Sequence, residues 1–263
     1  MFSQYEKGVF SHEGVTKDLY VGGSGPAVIV IHEVPGITPE VVRFAGWVVE
    51  AGFQVFMPEL VGQAGRPLST PYVLQSFARV CIRREFSVLA SDRSSPVTGW
   101  LRALARHASS DTGGGPVGAI GMCFSGNFAL AMMMEPAVQA PVLCQPSLPF
   151  PFGAKRKAAL HVSPQEWSCV KERCAKGEKV LGLRFVGDRL SPPERFETLR
   201  RELGDAFEGI EIEDQYANPD SPAPMPHSVV TNDLIDEDGQ PTKEAARRVI
   251  AFFEERLKAS REA

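Results

Sequence analysis

No run of apolar residues in this chain approaches the ~18 that a membrane-crossing helix requires, and no basic cluster is long enough to track a nucleic-acid backbone. Neither a membrane nor a nucleic acid is therefore expected as a partner. Cysteine is scarce, five in 263 residues, odd in number and irregular in spacing, so no disulfide framework is expected and a reducing cytoplasm is the simplest setting. The opening MFSQYEKGVF lacks the charged-then-apolar pattern of a signal peptide. Cys169 and Cys174 lack the two-residue spacing of a zinc knuckle, and His161 nearby does not complete a ligand set. No metal and no cofactor are expected. Repeats, low-complexity tracts and long linkers are also missing. With 43% hydrophobic residues and a net charge of −4, 263 residues suit one large domain, residues 1–263, expected as a monomer or homodimer.

What is present is an alternation of buried strands and helices. Tyr5 to Tyr20 alternates apolar and polar residues around His12-Glu13-Gly14, which predicts a hairpin. PAVIVI (Pro26 to Ile31) is a continuous β-branched run suited to a central parallel strand. Pro39 to Ala51 reads as a helix, Phe53 to Met57 as a strand, and Val61 to Pro71 as a loop. A helical pattern then runs from Tyr72 to Leu89, and another from Ser95-Pro96 to about His107. Beyond the strand at Val117 come strands at Ala140 to Cys144, Val180 to Val186 and Gly209 to Glu213. Helices are expected at Ser163 to Ala175, Ser191 to Leu203 and Lys243 to Lys258. This is the pattern of βαβ units and a mainly parallel sheet.

The chain is organised around VGAIGMCFSGNFALAMMM, Val117 to Met134. A strand, a tight turn bounded by small residues and a helix follow one another, with Cys123 at the apex. Such an elbow presents a nucleophile at the end of a sheet, and the helix N-terminus behind it favours negative charge there. Two further residues fall just after strands, the edge where sites assemble in open parallel sheets. Asp188 follows the Val180 strand, and His227 lies on the loop after the last strand. Nucleophile, acid and base in that chain order are those of an α/β-hydrolase. His227 would take the thiol proton while Asp188 fixes its tautomer. His32 also sits at a strand end, but too early in the chain for the base. A redox role for Cys123 would need a resolving partner, and Cys144 is the candidate.

Five segments then resemble the dienelactone hydrolase family: IHEVPG (Ile31 to Gly36), AGFQVFMPEL (Ala51 to Leu60), GMCFSG (Gly121 to Gly126), VGDRLSP (Val186 to Pro192) and PHSVV (Pro226 to Val230). The resemblance implies an α/β-hydrolase fold with a mainly parallel sheet flanked by helices. It implies a Cys123, Asp188, His227 triad, oxyanion donors at Val34 and Phe124, and Glu33 in contact with the resting thiol. It also implies two arginines for a substrate carboxylate. Arg84, beside Arg83 in RREF, corresponds to the first; the second would fall four residues after the histidine, where this chain has Thr231. Ser125 replaces a customary glycine in the elbow. Residues 145–179 form a longer segment than the family requires, suggesting a lid or an interface. The expected activity is hydrolysis of a small ester or lactone through a thioacyl intermediate. Acyl transfer or ring opening or closing with the same triad, and ligand binding without catalysis, remain the alternatives.

Overall fold

The computed structural model describes residues 2–82, 84–86 and 93–258. The hairpin forms from β1 (Tyr5–His12) and β2 (Val15–Gly23), paired antiparallel with His12 opposite Val15. Its two-residue turn, Glu13-Gly14, has positive φ at both positions, 48° and 78°, the twist that a tight hairpin demands.

The remaining strands are β3 (Ala27–Ile31), β4 (Gln54–Pro58), β5 (Val117–Met122), β6 (Val138–Cys144), β7 (Val180–Phe185) and β8 (Phe207–Ile212). Together they make one sheet in the order β1-β2-β4-β3-β5-β6-β7-β8. β2 meets β4 antiparallel, and every pair from β4 to β8 is parallel. Both faces of the sheet are covered. Val28 and Val30 of β3 pack towards α1 (Pro39–Glu50) and α8 (Pro241–Phe253), while Ala27, Ile29 and Ile31 pack towards α3 (Val97–Asp111) and α4 (Gly126–Met132). The period-2 alternation of a strand thus divides one continuous apolar run between two cores.

Helix boundaries follow their caps. Thr38 accepts a hydrogen bond from Val41 N at 3.4 Å and Pro39 takes the first helical position, so α1 begins where the sequence predicts. In α6 (Pro164–Ala175), Ser163 and Glu166 cap each other's backbone. Other expectations need correction. α2 (Thr70–Ile82) stops seven residues short of Leu89, and a separate 3₁₀ turn follows at Arg84–Phe86. Residues 87–89, the last of the expected helix, lie outside the described residues. A short helix, α5 (Ala154–Ala158), carries AKRKA and no apolar periodicity to announce it. The C-terminal helix starts two residues early at Pro241 and widens to a π-type turn over Glu254–Lys258.

Residues 145–179 divide into two parts. Val170 and Cys174 of α6 join one apolar cluster with Leu130 of α4 and with Phe196 and Leu199 of α7 (Pro193–Leu203). That half is the ordinary crossover between β6 and β7. The preceding loop and α5 border the carboxyl edge of the sheet. Among the described residues, no helix is long and apolar enough to cross a membrane.

Candidate active site

Cys123 stands at φ 55°, a strained conformation for a residue with a Cβ. Its neighbours make the turn feasible. A Cβ on Gly121 would lie 2.1 Å from Ser125 O, and one on Gly126 would lie 2.5 Å from Pro146 Cα. Both positions therefore require glycine. Ser125 is fully buried; its hydroxyl accepts from Met122 N at 2.8 Å and lies 3.0 Å and 3.1 Å from the carbonyls of Ile31 and His32. The serine thus ties the elbow to the end of β3, a bond that a glycine could not make. The thiol itself accepts a hydrogen bond from Ser147 Oγ at 3.3 Å, and Ser147 N donates to Cys123 O at 2.9 Å.

Asp188 and His227 meet across 39 residues of sequence. His227 Nδ1 donates to Asp188 Oδ2 at 2.7 Å, while the other oxygen of Asp188 accepts from Leu190 N and Ser191 N at 2.9 Å and 3.2 Å. Burial opposes the Asp188 charge, but His227 and these donors outweigh it and hold the carboxyl below its usual range. Asp233 Oδ2 accepts from both His227 N and Ser228 N, at 2.8 Å and 2.7 Å, fixing the histidine loop from behind. His227 Nε2 is buried and without a hydrogen-bond partner among the described residues. Burial works against its positive charge, yet Asp188 and the Cys123 sulfur, close enough to act electrostatically, push the imidazole well above its ordinary pKa.

His32 is not a second base. Its Nε2 accepts from Leu60 N at 3.0 Å and its Nδ1 lies 2.7 Å from Glu33 O, a tautomer that is neutral. Complete burial lowers its pKa to about 4. The imidazole is a latch between two loops.

Glu33 departs from the expected contact with the thiol. Its buried carboxylate accepts from Gln145 Nε2 at 3.2 Å, Ser228 Oγ at 2.8 Å, Thr231 Oγ1 and Asn232 Nδ2 at 3.4 Å. Three of these donors belong to the histidine loop. Thr231 therefore turns inward to Glu33 and offers a substrate carboxylate nothing in the way an arginine would. Burial pushes the Glu33 pKa up, against the donors and the nearby His227 charge. Replacing Glu33 by Gln removes a negative charge that favours protonated His227, so the imidazole pKa falls. The pH at which His227 gives up its proton is expected to move downward, read by NMR titration of the ring. An unmoved titration would leave Glu33 only a structural role.

Val34 and Phe124 are the two residues that the resemblance names as oxyanion donors. Val34 packs with Cys123 against the apolar cluster that holds Phe124. Its backbone N–H has no acceptor among the described residues. Phe124 follows the apex within the first 3₁₀ turn, Cys123–Ser125, where backbone N–H groups have no intrahelical partner. Arg83 and the side chain of Arg84 lie outside the described residues. Cys144 is fully buried; its thiol donates to Gln145 Oε1 at 2.6 Å, and burial, then the Glu33 charge, pushes its pKa well up. All five cysteines are free, and no group of three or more metal-binding side chains occurs among the described residues.

A mainly parallel eight-stranded sheet, with a nucleophile-type elbow after β5, an acid after β7 and a histidine after β8, defines the α/β-hydrolase fold. Solved structures share it. A dienelactone hydrolase from Anabaena variabilis superposes with a TM-score of 0.59 at 17% identity, covering 97% of this chain and 99% of its own. A dienelactone hydrolase-like promiscuous phosphotriesterase from metagenomic libraries gives 0.63 at 15%, covering 96% and 98%. An α/β serine hydrolase without lid from Xanthomonas campestris gives 0.52 at 13%, covering 81% and 85%. At such identities the likeness is one of fold. None of the curated proteins matches the chain. The chain belongs to the dienelactone hydrolase family, whose model matches residues 18–159, from the hairpin through the cysteine elbow.

Proposed function

We propose that the protein is a cysteine-dependent hydrolase of small-molecule esters or lactones, working through a thioacyl intermediate. One arrangement supports this reading: an apex cysteine at the sheet's carboxyl edge, with a buried histidine whose Nδ1 is held by Asp188 and whose Nε2 has no hydrogen-bond partner among the described residues. The Cys123 sulfur, its proton passed to His227, attacks the substrate carbonyl. The oxyanion forms against the N–H groups of Val34 and Phe124, a stabilisation that acts only as charge develops. Collapse breaks the C–O bond, and the leaving alkoxide takes the proton from His227 Nε2. Water then gives a proton to the same nitrogen, attacks the thioester and releases the acid and the thiol. In a lactone, the alcohol and acid stay joined in one product. Asp188 keeps Nδ1 protonated throughout, so Nε2 is the nitrogen that cycles.

The test is a burst experiment with p-nitrophenyl acetate. About one equivalent of nitrophenolate should appear before steady turnover, with an acetyl group mapped to Cys123 by peptide mass spectrometry. Oxygen from labelled water should then enter the acid. Acylation without transfer to water would favour acyl transfer to another acceptor. No Cys123-dependent acylation would favour a ligand-binding role.

A further inference from the structure

We propose that the cavity beside Asp188 is a subsite for a bulky apolar, preferably aromatic, group of the substrate. The assignment rests on the hydrolase reading above and deepens it. The cavity measures about 890 Å³, and its walls come from α2, the loop before α5 and the loop after β7. A volume of this order suits a whole small-molecule substituent, not a single water or a short acyl group.

Its lining is aromatic on one side. Phe77 and Phe150 lie 5.3 Å apart between ring centroids, and Phe150 and Phe152 lie 6.5 Å apart, so three rings form a continuous wall. Val186, Leu190 and three prolines face the same space. Much of this surface is open to solvent. Phe152 is 68% exposed, Val186 42% and Phe77 40%. Large apolar side chains gathered around a concavity and left exposed mark a place where a ligand covers them. Of the charged residues in the lining, Lys157 and Glu194 face each other at 3.6 Å, Asp188 is held by His227, and Arg189 is exposed to solvent, so the aromatic wall is the surface an uncharged group would meet.

The cavity connects with the chemistry at two points. Asp188 is itself part of the lining while holding His227. Phe150 belongs to the loop in which Ser147 contacts the Cys123 sulfur, and it packs in the same cluster as Phe124 and Cys123. An ester whose carbonyl meets Cys123 would place a group on one side of the scissile bond along this wall.

The experiment compares p-nitrophenyl acetate with two bulky esters, 2-naphthyl acetate and p-nitrophenyl 4-phenylbutyrate, each rate divided by its spontaneous hydrolysis. At least one bulky ester should exceed p-nitrophenyl acetate in kcat/KM by about tenfold or more, the effect of burying an aromatic ring. In Phe152→Asp, that preference should fall by about fivefold or more; the site is exposed, so folding is not at stake. The variant's melting curve serves as the control. Turnover of p-nitrophenyl acetate with no preference for either bulky ester overturns the subsite and leaves the hydrolase reading standing. Equal losses on all three substrates in Phe152→Asp also overturn it. No Cys123-dependent turnover of any ester overturns the hydrolase reading and the subsite with it.

Discussion

Cys123→Ala is expected to abolish ester turnover, with kcat/KM falling by on the order of 10⁴-fold. His227→Ala should fall nearly as far, because a nucleophile and base that act as a unit fail together when either is removed. Asp188→Asn should leave more activity than either. The amide can still sit beside His227 Nδ1, but the charge that stabilises the imidazolium is gone and the favoured tautomer is lost. Folding is not expected to obscure the first variant, since Cys123 is only partly buried and its thiol is held by no more than a 3.3 Å hydrogen bond from Ser147 among the hydrogen bonds of the described residues. The same pair of groups predicts selective chemistry: brief iodoacetamide treatment should modify Cys123 before Cys144, which is buried and has a raised pKa. Full activity in Cys123→Ala would remove the thioacyl mechanism outright.

Much of this arrangement is legible in the sequence because local signals carry it. PAVIVI must be buried on both faces, and β3 sits between β4 and β5 with no exposed residue. The elbow is equally local: glycines two before and three after Cys123 permit the turn, and their steric role is visible in the close approaches of Ser125 O and Pro146 Cα. The chain order of cysteine, aspartate and histidine then follows from the strand order, and Asp188 and His227 do meet at 2.7 Å.

What escapes the sequence is what depends on distant partners. Ser147 under the thiol and Asp233 behind His227 are ordinary polar residues in loops until the fold brings them in. Glu33 is anticipated at the site but not in its orientation, because its four donors come from Gln145 and from residues 228–232, over a hundred positions away. Thr231 draws notice only as a missing arginine; its use as a donor to Glu33 depends on burial. The end of α2 is missed for a different reason. Apolar periodicity continues past Ile82, while the backbone breaks into a 3₁₀ turn at Arg84–Phe86 that places Phe86 against Phe124 with centroids 5.3 Å apart. Tertiary packing overrides the helical pattern there.

Arg195→Met is expected to destabilise the fold by about 3–5 kcal/mol, although the residue touches neither the thiol nor the histidine. Arg195 is fully buried in α7. Its guanidinium donates to Ala159 O and Pro149 O at 2.8 Å, to Arg156 O at 3.0 Å, and to Pro146 O. Burial lowers its pKa to about 9, so it remains charged at neutral pH, with Asp188 adding favourable charge. Four carbonyls, two from the loop after β6 and two from α5 and its end, thus converge on a single side chain, and that loop carries Ser147 at the thiol and Phe150 in the cavity wall. Methionine fills similar volume but donates nothing, leaving carbonyls without partners in the interior. For a chain of this length the loss corresponds to a fall in Tm of roughly 6–15 °C. Lysine should recover part of it, since an ammonium keeps the charge but lacks the planar fork that reaches several carbonyls at once. If the loop is held by this contact, both variants also lose kcat/KM on bulky esters more than on p-nitrophenyl acetate, measured well below their melting points. A Tm within about 2 °C of the unsubstituted protein would show that the carbonyls find other donors, and that the loop beside the thiol is positioned by its own packing.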